Sequence, residues 1–240
     1  MSAIRVAVEG CLEGIFDAVV TGPIAKDRLL ERGFPYPGHT EYLGYLCGVP
    51  HPVMAFVSPQ LRVALVSTHI PLRSVPDYCT RERILHTIQV CHHTLVHLYG
   101  LTSPRIAVCG LNPHAGERGH LGQEELSTVE PAVLAAREQG IEVSGPSPAD
   151  SLFAQVMNGS ADLVVALYHD QGLIPVKILG LGHAVHLTFG LPILRTSVDH
   201  GVARDIVGRG IANPIGLKMA LQEAIHLGQQ KNKRPLPMWK

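Results

Sequence analysis

Three apolar, β-branched runs in this chain stop abruptly at polar residues, and each hands over a histidine just past its end. Val164-Val165-Ala166-Leu167-Tyr168 leads into His169-Asp170-Gln171-Gly172, Arg62-Val63-Ala64-Leu65-Val66-Ser67-Thr68 into His69, and Arg105-Ile106-Ala107-Val108-Cys109-Gly110-Leu111-Asn112-Pro113 into His114. Continuous runs of this kind read as buried strands of a largely parallel sheet. Ligands of open α/β sheets bind outside the carboxyl ends of the strands. His69, His114 and His169 are therefore candidates for one site. Strand-like and helix-like segments alternate along the chain, which predicts the α/β class. At 46% hydrophobic and 17% charged over 240 residues, the chain can bury a sizeable core.

The segments between these runs have their own periodicities. Residues 1–15 read as an amphipathic helix and 16–20 as a short strand stopped by Thr21-Gly22-Pro23. A helix over 25–32 follows and ends at Gly33, with Lys26 either a solvated charge or a site cation. His39-Thr40-Glu41 opens a helix to Cys47, with Thr40 or its neighbour as N-cap. Helix N-termini favour anions, so His39 and Thr40 are candidate phosphate or carboxylate ligands, an ordinary cap being the alternative. Residues 52–57 and 61–66 predict a hairpin about Ser58-Pro59-Gln60. Residues 80–99 are the clearest helix, and His86, His92, His93 and His97 read as its surface or partner-facing residues. A Gly-rich polar loop spans 112–122, then a helix from Gln123 to Gln139 carries Pro131 in an early turn. A short strand at 141–143 and a rigid turn at 145–150 lead to a helix, where Asp150 is either a cap or a carboxylate aimed at the site. The apolar run 174–179 contains Lys177, costly to bury unless paired or functional. A strand at 184–189 is interrupted by His186, and Arg195 and Asp199-His200-Gly201 follow. The chain closes with turns at 205–210, a helix over 213–227, and a polar tail over 229–240 expected to be disordered.

Charge and composition narrow the chemistry. Lys+Arg and Asp+Glu are 20 each, which leaves no basic field for nucleic acid. No apolar run approaches a membrane span and the start lacks a signal-peptide pattern. The five cysteines form no C-x-x-C pair, so a soluble protein of a reducing, cytoplasmic compartment is expected. Three neutral imidazoles without a fourth protein ligand match an open catalytic metal site, suited to zinc or cobalt, or to magnesium completed by oxygen ligands. Lys177, Arg195 and Lys26 beside the helix start at Thr40 suggest a small, phosphorylated substrate. A divalent metal beside an alcohol suits oxidation of a hydroxy acid, but also hydrolysis or aldol cleavage. No G-x-G-x-x-G, Walker A or G-x-S-x-G pattern is found.

Six blocks carry a resemblance: Thr21-Gly22-Pro23, Gly38-His39-Thr40-Glu41, Ser67-Thr68-His69-Ile70-Pro71-Leu72, Cys109-Gly110-Leu111-Asn112-Pro113-His114-Ala115-Gly116-Glu117, Tyr168-His169-Asp170-Gln171-Gly172 and Arg195-Thr196-Ser197-Val198-Asp199-His200-Gly201. In this order they resemble the 4-hydroxythreonine-4-phosphate dehydrogenase family of vitamin B6 synthesis. The stretch from His200-Gly201 through Asp205 to Asn213-Pro214 is similar to the cofactor-side loop of isopropylmalate and isocitrate dehydrogenases, which bind their dinucleotide without a Rossmann fingerprint. The resemblance implies an isopropylmalate dehydrogenase-like, two-domain α/β/α fold, with residues 1–33 and 197–240 in an outer domain and 34–196 in a central metal, substrate and dimerisation domain. It implies a homodimer with a metal site at the subunit interface, and metal- and NAD-dependent oxidation of a phosphorylated amino acid. His69, His114 and His169 fall on metal ligands, and His39, Thr40, Lys177, His186 and Arg195 on substrate contacts. His200, Gly201 and Asp205 fall on the cofactor side, and Lys177 or Asp150 on proton transfer. Two departures stand out. His186 occupies a position where the family usually has asparagine, so a related substrate such as a phosphorylated sugar acid is the alternative. The family's opening strand has no counterpart, which implies an N-terminally shortened fold and leaves a catalytically impaired homologue as a further alternative.

Overall fold

Alternation along the strands sorts their side chains onto two faces. In β2 (Val53–Val57), Val53, Ala55 and Val57 join one apolar cluster, while Met54 and Phe56 join another. In Leu163–Leu167 the odd residues go to the first cluster, Val164 and Ala166 to the second. This period of two is what a sheet covered by helices on both faces requires.

The computed structural model describes residues 2–180 and 182–231. Its elements are α1 (Ser2–Leu12), β1 (Ala18–Thr21), α2 (Lys26–Glu31), α3 (His39–Cys47), β2, β3 (Arg62–Leu65), α4 (Val75–Tyr78), α5 (Arg81–His97), β4 (Ile106–Cys109), α6 (Glu130–Glu138), β5 (Val143–Ser147), α7 (Ala149–Met157), β6 (Leu163–Ala166), α8 (His169–Gly180), β7 (Val185–Phe189), β8 (Leu194–Val198) and α9 (Ile215–Lys231). One sheet runs in the order β1-β8-β7-β2-β3-β6-β4-β5. The pairs β3–β6, β6–β4, β4–β5 and β1–β8 are parallel, while β8–β7, β7–β2 and β2–β3 are antiparallel. Ile84 and Ile88 of α5, Val133 of α6 and Ala220 and Leu227 of α9 cover one face; Leu152 and Val156 of α7 and Leu173 and Val176 of α8 cover the other. A smaller cluster of Val8, Cys11, Val19, Leu43, Leu191 and Ile193 joins α1 and α3 to the β1 edge.

The α/β class, the hairpin and the long helix capped by Thr80, whose Oγ1 accepts from the Arg83 amide, all match expectation. Several details differ. Residues 174–179 belong to α8, whose buried side is Gly172, Leu173, Val176 and Gly180; Lys177 faces outward and escapes the cost of burial. β7 runs unbroken through His186. The first half of the turn expected at 145–150 is strand, since β5 continues through Gly145-Pro146 at the sheet edge, where a missing amide donor is tolerated, and its last two residues already open α7. Residues 229–231 are helical, and the rest of the expected disordered tail lies outside the described residues. β8 straddles the boundary expected at 196/197, and β1 and α9 of the expected outer segments both pack on it. All five cysteines are free, and no helix among the described residues is long and apolar enough to cross a membrane.

Candidate active site

Strand register builds a polar stripe on one face of the sheet. Thr188 pairs next to Met54 and His186 next to Phe56, while His186 stands opposite Ser197, itself beside Thr21. Directly opposed residues share a face, so Thr21, Ser197, Arg195, Thr188 and His186 emerge together. α9 covers the other face of these strands, and α8 reaches only as far as β2. The stripe therefore floors a cleft of about 250 Å3, walled by the start of α3, by Lys26, and by the ends of β3 and β6.

Arg195 is the anchor of this floor, with 1% of its surface exposed. Its guanidinium donates to Thr21 Oγ1 at 2.7 Å, to Thr188 Oγ1 at 3.1 Å and to a ring nitrogen of His186 at 3.2 Å. Thr21 in turn donates to Ser197 Oγ at 2.9 Å. Every partner is neutral. Among the described residues no carboxylate lies within ion-pair distance of Arg195, and its Nε has no hydrogen-bond partner. Burial accordingly pushes its pKa down to about 9. His186 stacks on Phe56 with centroids 4.9 Å apart, and burial, then Arg195, holds its pKa well below the ordinary value. It is a neutral imidazole, accepting from the arginine.

α3 aims its first turn at the same cleft. Gly38, in extended backbone, is its N-cap without any side-chain cap bond, so Thr40 is a buried residue of the first turn and not the cap. Lys26 sits close by: a Cβ added at Gly38 would lie 3.7 Å from its Nζ. Burial, followed by Arg195 and Lys26, lowers the His39 pKa to about 4, leaving the ring neutral. Cationic side chains and unbonded helix amides thus converge on one space, the signature of an anion site.

Just past β3 and β6, the rings of His69 and His169 face each other with centroids 5.7 Å apart. Burial, then Lys26, lowers the His69 pKa. Asp170 Oδ1 lies 2.7 Å from His169 Nδ1, which fixes that nitrogen as the donor and leaves Nε2 with its lone pair. Gln171 ties the two neighbouring strand ends together, accepting from the Leu167 amide and donating to the Gly110 carbonyl, both at 2.7 Å.

The expected trio does not close within one chain. His114 is solvent-exposed and does not line the cleft, because five residues beyond β4 carry the chain into a turn whose backbone is left-handed from His114 to Arg118. Among the described residues no group of three His, Cys, Asp or Glu is placed to hold a metal. Lys177, His200 and Gly201 line the cleft, and His200 Nδ1 donates to the Gly201 carbonyl at 2.9 Å. Asp205 stands exposed in the turn Arg204–Ile206 and Asp150 exposed in the first turn of α7, its Oδ1 accepting from the Ser151 amide rather than capping the helix; neither lines the cleft. Thr21, Thr188 and Ser197 escaped sequence reasoning, although polar residues at every second position of apolar strands were there to be read. Asp170 escaped as a histidine-orienting group despite adjoining His169.

A protein-family model described as pyridoxal phosphate biosynthetic protein PdxA matches residues 1–224. A 4-hydroxythreonine-4-phosphate dehydrogenase of Shewanella frigidimarina is 47% identical over 230 residues, 96% of this chain and 70% of the relative. The crystal structure of the 4-hydroxythreonine-4-phosphate dehydrogenase from Klebsiella pneumoniae superposes with a TM-score of 0.86 at 44% identity, covering 94% of this chain and 68% of that one. Isocitrate dehydrogenase from Methylococcus capsulatus, 16% identical with a TM-score of 0.51 over 88% of this chain and 69% of its own, shares the fold.

Proposed function

The chain belongs to the PdxA family of pyridoxal phosphate biosynthetic proteins, and from that premise we propose that it oxidises 4-phosphohydroxy-L-threonine, with decarboxylation, to 3-amino-2-oxopropyl phosphate, using NAD and a divalent metal such as zinc, magnesium or cobalt. The observation that carries this reading is the buried guanidinium of Arg195, which has no carboxylate within ion-pair distance and feels Glu41 of the cleft wall only through space. A cation so placed is stabilised by an anion that arrives as ligand, and a phosphate monoester matches its fork geometry. Arg195, His39, Thr40 and Lys26 take the phosphate end, with neutral His186 beside them.

His69 and His169 fit a metal as part of a nitrogen donor set: two neutral rings face each other, one held by a carboxylate. Two ligands do not complete such a site. The His114 of a second copy supplies the third in this reading, which makes the protein a homodimer with the metal at the interface. When bound, the cation would lower the pKa of the substrate hydroxyl and the dinucleotide would accept the hydride. The substrate carbon–hydrogen bond would break with its electron pair passing to NAD, the hydroxyl proton would leave, and the resulting 3-oxo acid would release CO2, a proton taking the place of the lost carboxylate on carbon. We assign that proton to Lys177, which lines the cleft whereas Asp150 does not. His200 and Gly201 are assigned to the dinucleotide side, with Asp205 on the loop beyond. We keep residues 1–33 and 197–240 as the outer domain, 34–196 as the central one.

The test is incubation of the purified protein with zinc, NAD and 4-phosphohydroxy-L-threonine, following NADH and CO2. Stoichiometric formation of both is expected, with loss of both in Arg195→Met. Product formed without NAD, or a zinc-loaded protein that makes no NADH, refutes the assignment.

A further inference from the structure

The segment that carries His114 holds an improbable backbone. φ is +52° at His114, +51° at Ala115, +75° at Gly116, +43° at Glu117 and +56° at Arg118. For every residue but the glycine this crowds Cβ against the following carbonyl, and such strain persists only where the surroundings over-determine it.

The group that over-determines it is Glu125. It is 3% exposed and, with Arg195, makes up the charged residues of the buried set among the described residues. Its Oε1 accepts from the amides of Leu111 and Asn112, both at 2.7 Å, and Oε2 accepts from Asn112 Nδ2 at 2.9 Å. Glu124 Oε2 also accepts from Asn112 Nδ2, at 2.7 Å. The carboxylate also fills the hollow of the turn, since a Cβ added at Gly116 would lie 2.6 Å from Oε2. A π-helical turn, Glu125–Val129, delivers it there ahead of α6. Such turns are rare and are frequently found at functional sites. A carboxylate accepts only, so three donors converging on it fix the approach of residues 111–112 and, through them, where His114 is presented.

We propose that Glu125 is a positioning residue that holds His114 in the geometry needed to complete the metal site of a second copy. The inference rests on the reading of His114 as a metal ligand given above. Calorimetric zinc titration of the full chain tests it, with Glu125→Gln as the variant. Zinc affinity is expected to fall about tenfold to a hundredfold, the usual effect of losing a group that orients a ligand. The variant is expected to remain folded, with its association state without metal as in the wild type. The double variant Glu125→Gln/His114→Ala is expected to bind no more weakly than His114→Ala, because both act through one ring. Asn112→Ala, which removes only the side-chain donor, lowers affinity in the same direction by a smaller factor and serves if Glu125→Gln does not fold. A His114-dependent site unmoved by Glu125→Gln, or losses that add in the double variant, overturns the proposal. A wild type indifferent to His114→Ala overturns both it and the metal reading beneath it.

Discussion

Replacing Arg195 by methionine is expected to make the ligand-free protein more stable while removing its response to phosphate. Burial moves the guanidinium pKa down by more than three units from its ordinary value, to about 9. At 1.36 kcal/mol per pKa unit that is a penalty of about 5 kcal/mol on the charged form at neutral pH. The sign follows from proton counts. Between about 9 and the ordinary arginine value the unfolded chain holds a proton that the fold gives up, so stability rises with pH across that window and the full penalty is present below it. Methionine keeps the aliphatic volume and removes the charge, but Thr188 and His186 lose a donor; Thr21 keeps Ser197. Two unmade hydrogen bonds cost about 1–2 kcal/mol each. The balance is a stabilisation of about 1–3 kcal/mol, several degrees in melting temperature for a chain of this size. Inorganic phosphate at a hundred times its dissociation constant should add about 2.7 kcal/mol to the wild type and nothing to Arg195→Met. Scanning calorimetry with and without phosphate reads both. A variant that melts below the ligand-free wild type, or still responds to phosphate, refutes the reasoning that Arg195 is a cation kept waiting for an anion.

Two further outcomes follow from the same geometry. His39 titrates near 4 when folded and near 6.5 when unfolded, so the unfolded state binds the extra proton and stability falls as pH drops from about 6.5 to about 4; His39→Gln should flatten the melting temperature over that window, and an unchanged slope would show that other groups carry it. Gly172→Ala would drive a Cβ to within 2.7 Å of Leu65 Cδ2 and 2.8 Å of Val63 Cγ1, where α8 lies on the sheet; overpacking should cost about 1–3 kcal/mol in a denaturant titration, and a variant as stable as the wild type would mean that α8 can lift without loss.

Much of this architecture is legible in the sequence because strand alternation and helix periodicity are local. His69 and His169 are found from their place after apolar runs, since β3 and β6 pair as parallel neighbours and bring their carboxyl ends side by side. The same rule does not bring His114 into the cleft of its own chain. Left-handed backbone at Ala115, Glu117 and Arg118 has no signature in those residue types, and the carboxylate that sustains it comes from Glu125, beyond the loop. Lys177 looks costly inside an apolar run only until Leu173 and Val176 are seen to pack on one side of a helix and leave it on the other. Thr40 has the right side chain for a cap, but the chain enters α3 two residues earlier than a threonine cap allows. The burial of Arg195 is illegible for a different reason: it depends on which sheet face lacks a helix, a property of the whole topology.

That dependence also explains why the charge sits where it does. β7, β8 and β1 present Leu187, Thr196 and Val20 to α9, and these strands can afford polar residues on the opposite face only because α8 stops at β2. A polar stripe under a covering helix would bury unsatisfied donors. Left open, it becomes the floor of a cleft. Its hydroxyls hold the guanidinium without neutralising it, so the positive field stays directed at the cavity rather than being spent on an internal carboxylate. The two histidines stand at the far wall, where β3 and β6 end, so a phosphate on Arg195 would extend the rest of a small substrate toward them. The third histidine is carried away from this wall on its own clamped turn, and in the proposed reading this couples the chemistry of the cleft to association: a lone chain would bind the anion, and a pair of chains would complete the donor set.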